Sequence, residues 1–228
     1  MRSSPAASPG GRATRDGRWL YASNEDAGTA SVTDLRSGKV VATLVVGIEP
    51  EGVAISPDGR WVYVTAETSN TVTVIDTRQN EVVASFLVDA RPRSAAFSPN
   101  GRRAWVTSEI AGTVSVIDVT RHEVIESVVI EGDEGKPVGV MVSPDGRYVY
   151  VANGASNSVS MLDAQTARAI GRITVGQRPW GIALSRDGRW LYSANGRSND
   201  VSVVDLTTRR VARTIPVGAR PWGIAVPR

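Results

Sequence analysis

The sequence has no cysteine and a single histidine, His122, among its 228 residues. The first absence excludes disulfides, thiolate zinc sites, a cysteine nucleophile and iron–sulfur ligation. The second excludes a multi-histidine metal centre and makes any Ser-His-Asp arrangement depend on one position. A cysteine-free chain tolerates either redox condition, so the compartment stays open. No run of 18 apolar residues occurs, which excludes a membrane-spanning helix. Charge of one sign is also lacking: 26 Lys+Arg face 23 Asp+Glu, and a surplus of three is too thin for a nucleic-acid coat. Gly-rich phosphate loops, a G-x-S-x-G elbow and H-E-x-x-H are missing. Met1–Gly11 has an early arginine but no apolar core, so it does not read as a secretory signal. What remains, 41% hydrophobic and 21% charged residues, is the composition of a globular chain long enough for a sizeable core.

Repeats decide the architecture. An Asp/Asn-Gly-Arg turn recurs with its glycine at 17, 59, 101, 146 and 188, in steps of 42, 42, 45 and 42. Asp34, Asp76, Asp118, Asp163 and Asp205 keep the same phase, as do Pro50, Pro92, Pro137, Pro179 and Pro221. The extra three residues of the long step fall near Glu131–Lys136. That acidic loop lacks the spaced acids of a calcium loop.

Each unit reads as four short strands. Gly52–Ile55 is apolar, Ser56-Pro57-Asp58-Gly59 turns the chain, and Trp61–Val64 is aromatic and β-branched. Thr71–Ile75 alternates, Asp76–Asn80 turns again, and Glu81–Val88 completes the set. Four antiparallel strands per unit of about 42 residues is the blade of a β-propeller. Small twisted sheets cannot bury two faces alone, and radial stacking buries them against each other. The expectation is an all-β chain: a tail over residues 1–14, then one propeller over 15–228 with repeats starting near 15, 56, 98, 143 and 185. The five blades are read as an open arc, part of a seven-bladed propeller. The alternative is a closed five-bladed ring, sealed by pairing Arg18–Ser23 with Pro221–Val226.

The unit S-P-D-G-R-x-V-Y-V-x-x-x-x-x-N-x-V-x-V-I-D resembles the YVTN-type β-propeller repeat. Glu49-Pro50-Glu51-Gly52, Arg91-Pro92-Arg93, Ser108–Asp118 and Asn195–Val201 resemble, more narrowly, the β-propeller family associated with pyrroloquinoline-quinone (PQQ)-dependent catabolism. The resemblance runs from about Arg18 to the C-terminus. It implies a seven-bladed, exported protein, a periplasmic or extracytoplasmic accessory to PQQ-dependent alcohol oxidation. PQQ enters only through that association, and no cofactor is expected of the chain itself.

Five equal copies of the marker aspartate read as turn-forming residues accepting backbone N–H bonds. Tyr21, Tyr63, Trp105, Tyr150 and Tyr192 share one slot, expected between blades. Trp19, Trp61, Tyr148 and Trp190 share another, which Arg103 breaks. His122 reads as an exposed turn residue on the side away from the mouth.

Propellers bind ligands where the loop entering the innermost strand meets the central funnel. Here the marker proline is preceded by Glu49, Arg91, Lys136, Arg178 and Arg220, and followed by Glu51, Arg93, Val138, Trp180 and Trp222. The loop after the second strand adds Asn24-Glu25-Asp26, Glu67, Glu109, Asn153 and Asn195. Arginine with tryptophan beside polar amides grips a carboxylate, a phosphate or a protein surface. The bland alternative is a solvated rim in which Glu67 or Glu109 faces Arg91 or Arg93.

The functional expectation is a non-catalytic binding or scaffold propeller whose mouth recognises a protein partner or a small anionic ligand. Its binding residues would be Glu49, Glu51, Arg91, Arg93, Lys136, Arg178, Trp180, Arg220 and Trp222, with no catalytic or metal residue. Nucleic acid is not expected as a partner. One alternative is a lactonase-like hydrolase using Glu51 or Glu109. Others are a cofactor-binding propeller, with Trp180 and Trp222 stacking on a planar ring, and a surface-layer or adhesion protein.

Overall fold

A computed structural model describes residues 10–130 and 136–226. Five separate four-stranded antiparallel sheets form, each with its strands in chain order. Blade 1 is β1 (Gly11–Ala13), β2 (Trp19–Asn24), β3 (Thr29–Asp34) and β4 (Lys39–Val45). Blade 2 is β5 (Pro50–Ile55), β6 (Trp61–Ala66), β7 (Thr71–Asp76) and β8 (Glu81–Leu87). Blade 3 is β9 (Pro92–Phe97), β10 (Arg103–Ser108), β11 (Thr113–Asp118) and β12 (Glu123–Val129). Blade 4 is β13 (Pro137–Val142), β14 (Tyr148–Asn153), β15 (Ser158–Asp163) and β16 (Ala169–Thr174). Blade 5 is β17 (Pro179–Leu184), β18 (Trp190–Asn195), β19 (Asp200–Asp205) and β20 (Arg210–Pro216).

The repeated turns explain the repeated sheets. In the first hairpin of blade 2, Ser56 Oγ accepts the Trp61 amide at 2.9 Å and Asp58 Oδ1 accepts the Arg60 amide at 3.1 Å. Gly59 takes φ +74° there, which a side chain would resist. In the third hairpin Asp76 Oδ1 accepts the Arg78 amide at 2.8 Å, and the marker aspartates at 34, 118, 163 and 205 do the same for their turns. Turn hydrogen bonds hold the carboxyls below the usual carboxylate range, led by the Ser37 amide for Asp34, the Thr120 hydroxyl for Asp118, the Thr166 amide for Asp163 and the Thr207 amide for Asp205.

Four apolar clusters join the five blades. Tyr21 packs with Val62, Val64 and Ile75 of blade 2, and Tyr63 with Val106 and Ile117 of blade 3. Trp105 meets Val149, Val151 and Leu162, and Tyr150 meets Leu191 and Val204. Burying each such ring contributes about 1.5–3 kcal/mol. The outer strands leave apolar residues in solvent, for example Val45, Leu87 and Val129. The interblade slot also carries a polar repeat. The Tyr21 hydroxyl donates to Asn80 Oδ1 of the next blade, and the Tyr63 hydroxyl lies 2.8 Å from His122 Nδ1. Where the ring becomes Trp105, its partner becomes Ala167, and the Trp105 indole N–H has no acceptor among the described residues. Arg103, which breaks the other aromatic slot, donates instead to the Ala164 and Gln165 carbonyls of blade 4, at 2.9 and 3.2 Å.

Inner strands approach so closely that side chains are excluded. A Cβ on Gly139 would lie 2.3 Å from the Trp180 carbonyl oxygen. Gly139→Ala is therefore expected to cost about 2–3 kcal/mol in chemical denaturation, whereas Gly171→Ala, whose Cβ would meet only ordinary contacts, costs under about 1 kcal/mol.

Three expectations are corrected. Residues 11–13, assigned to the tail, form β1, because the repeat phase places Gly10 where Gly52 stands in blade 2. The closure of the alternative five-bladed ring does not form: β2 pairs with β1 and β3, and Pro221–Val226 pairs with no part of blade 1. The propeller is open among the described residues. His122 is half-buried, edge-on to Trp61 at 4.8 Å, and not an exposed turn residue. The long-step insertion falls mainly on 131–135, outside the described residues.

Burial pushes the His122 imidazole below its ordinary 6.5. The folded state thus holds it neutral while the unfolded chain protonates below about 6.5, so its contribution to stability falls as pH drops through that value. His122→Asn copies the Asn80 arrangement and should flatten this acid limb in denaturant melts, by at most about 1.4 kcal/mol per pH unit.

Candidate functional site

The inner strands β1, β5, β9, β13 and β17, with residues 222–225, surround a cavity of about 530 Å³. Its floor is apolar, built from residues such as Val53, Val140, Met141 and Ile182. Among its polar and aromatic lining residues are Arg12 and Ser94 and, each the residue after a marker proline, Glu51, Arg93, Trp180 and Trp222.

The local backbone explains that placement. Glu49, Arg91, Lys136, Arg178 and Arg220 all adopt φ between 45° and 61°. The register of the innermost pair then shifts by a bulge, as between Pro50 and Val53. The asparagine of the neighbouring loop fixes this corner: Asn70 Oδ1 accepts the Arg91 amide and Asn157 Oδ1 the Arg178 amide, both at 2.9 Å. Hydroxyls of the preceding blade hold the next residues: Ser23 Oγ donates to the Glu51 carbonyl at 2.8 Å, and Thr65 Oγ1 to the Arg93 carbonyl at 3.2 Å.

Arg93 is the centre of the cluster and is 8% exposed. Its Nη2 lies 2.8 Å from Glu51, its Nη1 is bonded to Glu67, and its Nε stands 3.6 Å from Glu109, too far for a hydrogen bond. Arg91 Nε contacts Glu67 at 2.8 Å and Glu109 at 3.4 Å, and Arg178 Nη2 reaches Glu109 at 3.2 Å. Glu67 and Glu109 are buried, so this is no solvated rim, although the ion pairs join the same residues. Burial, then a hydrogen bond to Glu67, pushes the Glu51 carboxyl up to about 9, against the pull of Arg93. At neutral pH Glu51 is therefore held as a neutral acid, with its Oε1 on Arg93 and its Oε2 buried without a hydrogen-bond partner among the described residues.

The aromatic pair completes the mouth. Trp180 and Trp222 meet edge to face, the Arg93 guanidinium lies 5.4 Å from the Trp222 ring, and the Arg178 guanidinium 5.5 Å from the Trp180 ring. Three polar atoms here are buried without a hydrogen-bond partner among the described residues: Glu51 Oε2, Arg93 Nε and Trp180 Nε1.

The structure thus brings together Glu51, Arg91, Arg93, Arg178, Trp180 and Trp222. It leaves Glu49 and Arg220 on the rim, Glu49 accepting from Thr68 Oγ1 and Arg220 held through its amide by Asn199. Lys136 is exposed, with its carbonyl accepting the Gly154 amide. Asn153 and Asn195 are not mouth residues. Both are fully buried inside their blades, where Nδ2 donates to Ser158 and Ser160, and to Asp200 and Ser202. Glu67 and Glu109 carry more of the site than their loop position alone implied. Their slot reads Glu25, Glu67, Glu109, Gly154, Gly196, and this switch from acid to glycine is the signal that marks an acidic half of the mouth.

The fold and its axial site define a β-propeller. The chain belongs to the lactonase, 7-bladed beta-propeller family, whose model matches residues 89–214. A model of the cytochrome D1 heme domain matches residues 6–104. Among solved structures, the chain is similar to hydrazine synthase from Kuenenia stuttgartiensis, at 19% identity and a TM-score of 0.70, over 98% of this chain and 92% of that one. It is also similar to a functionally unknown protein from Desulfotomaculum acetoxidans, at 19% identity and a TM-score of 0.80, over 93% of this chain and 72% of that one. These two likenesses concern the fold alone. No curated protein matches.

The heme-domain match raises the question of a haem, and the donor set does not fit a histidine- or cysteine-ligated one. The chain's one imidazole is bonded to Tyr63 between blades 2 and 3, and no histidine, cysteine or tyrosine lines the described cavity.

Proposed function

We propose that this chain is a non-catalytic binding propeller that holds a small anionic ligand, or an anionic group of a protein partner, at its funnel mouth. Its setting in this reading is the periplasm, as an accessory to PQQ-dependent alcohol oxidation. The setting rests on the motif resemblance alone. The binding role is supported by one observation: among the described residues the wall of the axial cavity gathers three buried polar atoms without a hydrogen-bond partner, Glu51 Oε2, Arg93 Nε and Trp180 Nε1, beside a buried cluster of arginines and glutamates. Glu67 and Glu109 are each tied to two or more arginines.

The decisive variant is Arg178→Glu with Arg220→Glu. Equilibrium binding of the captured anion or partner should weaken at least about tenfold, the scale of a charge-assisted hydrogen bond. Unchanged capture would refute the funnel as the recognition site. The family match favours a second reading, lactone hydrolysis. It predicts turnover of simple lactones that disappears in Glu51→Gln or Glu109→Gln, and the binding reading predicts none.

A further inference from the structure

We propose that the turn Ser98-Pro99-Asn100-Gly101 is a site of self-modification, in which the Gly101 nitrogen attacks the Asn100 side chain and converts it to the aspartate that the other four blades carry there. The inference is independent of what the funnel binds.

The chain holds three Asn-Gly pairs, at 100–101, 153–154 and 195–196. In such a pair the glycine nitrogen forms a bond to the asparagine Cγ, the Cγ–Nδ2 bond breaks and ammonia leaves. Water then opens the five-membered imide. Opening at Cγ gives aspartate, and opening at the main-chain carbonyl gives isoaspartate. The net change is amide plus water to carboxylate plus ammonium, with no oxidant or reductant. Glycine carries no side chain to hinder the approach.

The fold separates the three pairs. Asn153 and Asn195 are fully buried, and each Nδ2 holds two hydrogen bonds, to Ser158 and Ser160 and to Asp200 and Ser202. The Gly154 and Gly196 amides donate to the Lys136 and Arg178 carbonyls, at the entry to the innermost strands. Attack at either pair requires an inner strand to leave its blade. Asn100 is exposed at the tip of the hairpin joining β9 and β10. The Gly101 amide donates to the Ser98 carbonyl at 2.8 Å, inside the same four residues. Only the turn itself must open, and exposed turns open at far lower free energy than core strands.

The product has a place prepared for it. Asp16, Asp58, Asp145 and Asp187 occupy this slot in the other blades. Asn100 Oδ1 accepts the same two bonds as theirs, from the Ser98 hydroxyl at 2.8 Å and the Arg102 amide at 3.0 Å. At the four aspartates the hydroxyl bond is 2.5–2.6 Å, the shortening expected of an ionised acceptor. That bond leads in holding the Asp16, Asp145 and Asp187 carboxyls below the usual carboxylate range. A carboxyl formed at position 100 is therefore ionised at neutral pH, and the chain gains one negative charge.

The test is peptide mapping of the full chain, held folded at mildly alkaline pH and physiological temperature in water enriched in heavy oxygen. Trypsin places the three pairs on separate peptides, 94–102, 148–168 and 190–197. Heavy-oxygen uptake at Asn100 is expected to run at least about tenfold ahead of uptake at Asn153 or Asn195, and in guanidinium the three rates should converge. Asn100→Asp, which makes the product directly, should lower the melting temperature by no more than about 2 °C. Uptake at Asn153 or Asn195 as fast as at Asn100 in the folded chain would overturn the proposal. So would a folded chain inert at Asn100 whose denatured form converts. A larger fall in the melting temperature of Asn100→Asp would show that the turn rejects the carboxylate, and would overturn it too.

Discussion

Arg93→Met should destabilise the protein by about 3–5 kcal/mol, the cost of leaving a buried ionic partner uncompensated. In a chain of this size that lowers the melting temperature by roughly 10 °C. Arg93 bonds Glu51 and Glu67 and stands beside Glu109, all from a position 8% exposed. Methionine fills much of the volume, so the loss is electrostatic rather than a cavity effect. Without the guanidinium, the carboxyls must hold protons to remain buried, and their folded-state pKa values rise. A raised carboxyl pKa takes away stability as pH increases above the unfolded value, so the deficit of the variant should grow from about pH 5 to about pH 8. Adding Glu67→Gln removes one of the abandoned charges and should recover part of the loss. The coupling between the two substitutions would then exceed the few tenths of a kcal/mol seen for independent sites. Melts at both pH values check this. A deficit under about 1 kcal/mol would describe an exposed ion pair and contradict the burial on which the site rests.

The architecture was legible because three residue types kept one phase. Each marker has a local cause: the Asp-Gly turn, the side-chain-capped hairpin and the bulge at the proline are all written within a few residues of sequence. The blade count followed directly. The open arc followed from the same count, since wedges shaped for a wider ring do not close at five. The site was legible only in part. Flanking the proline identified Glu51, Arg93, Trp180 and Trp222, because the bulge turns the following residue inward. The same rule misled for the preceding residue. Its left-handed backbone leaves Glu49 and Arg220 on the rim, and Arg91 and Arg178 rejoin the cluster through the length of their side chains. Asn153 and Asn195 sit one residue before the slot of Glu67 and Glu109, and strand alternation sends that neighbour into the blade. The meeting of Arg178 with Glu109, 69 positions apart, depends on blade curvature that no local pattern encodes.

Internal repeats also act as a substitution record within one chain. Tyr21 with Asn80 and Tyr63 with His122 solve the same interblade contact with a hydroxyl and a ring or amide acceptor. Trp105 with Ala167 solves it by size, at the cost of an indole N–H unpaired among the described residues. The mouth departs from this logic. Structural slots vary conservatively from blade to blade, but the residue after the proline runs from Glu51 to Arg93, Val138, Trp180 and Trp222. On the binding reading proposed above, a slot that changes chemistry around the axis suits an asymmetric occupant.

Glu51→Gln should make the protein more stable above neutrality, not less. The folded carboxyl is pushed up to about 9, from an ordinary 4.5, by burial and by its bond to Glu67. Below about 4.5 both folded and unfolded chains hold the proton, and the full stability is present. Between about 4.5 and about 9 the unfolded chain releases it while the folded chain keeps it, so stability falls with rising pH by up to about 1.4 kcal/mol per unit. Above about 9 the folded group ionises too and the slope ends. Because Glu51 is coupled to its neighbours, the observed slope should be shallower than that ceiling. Glutamine is isosteric with the protonated acid. Its amide donates to Glu67 while its carbonyl accepts from Arg93, and nothing remains to ionise. The variant should therefore lose the slope and gain about 2–4 kcal/mol at about pH 8, roughly 10 °C in melting temperature. An ionised Glu51 gripping Arg93 predicts the opposite, a loss at every pH above about 5. Thermal melts of the two proteins across that range distinguish a proton stored at the funnel mouth from an ordinary salt bridge.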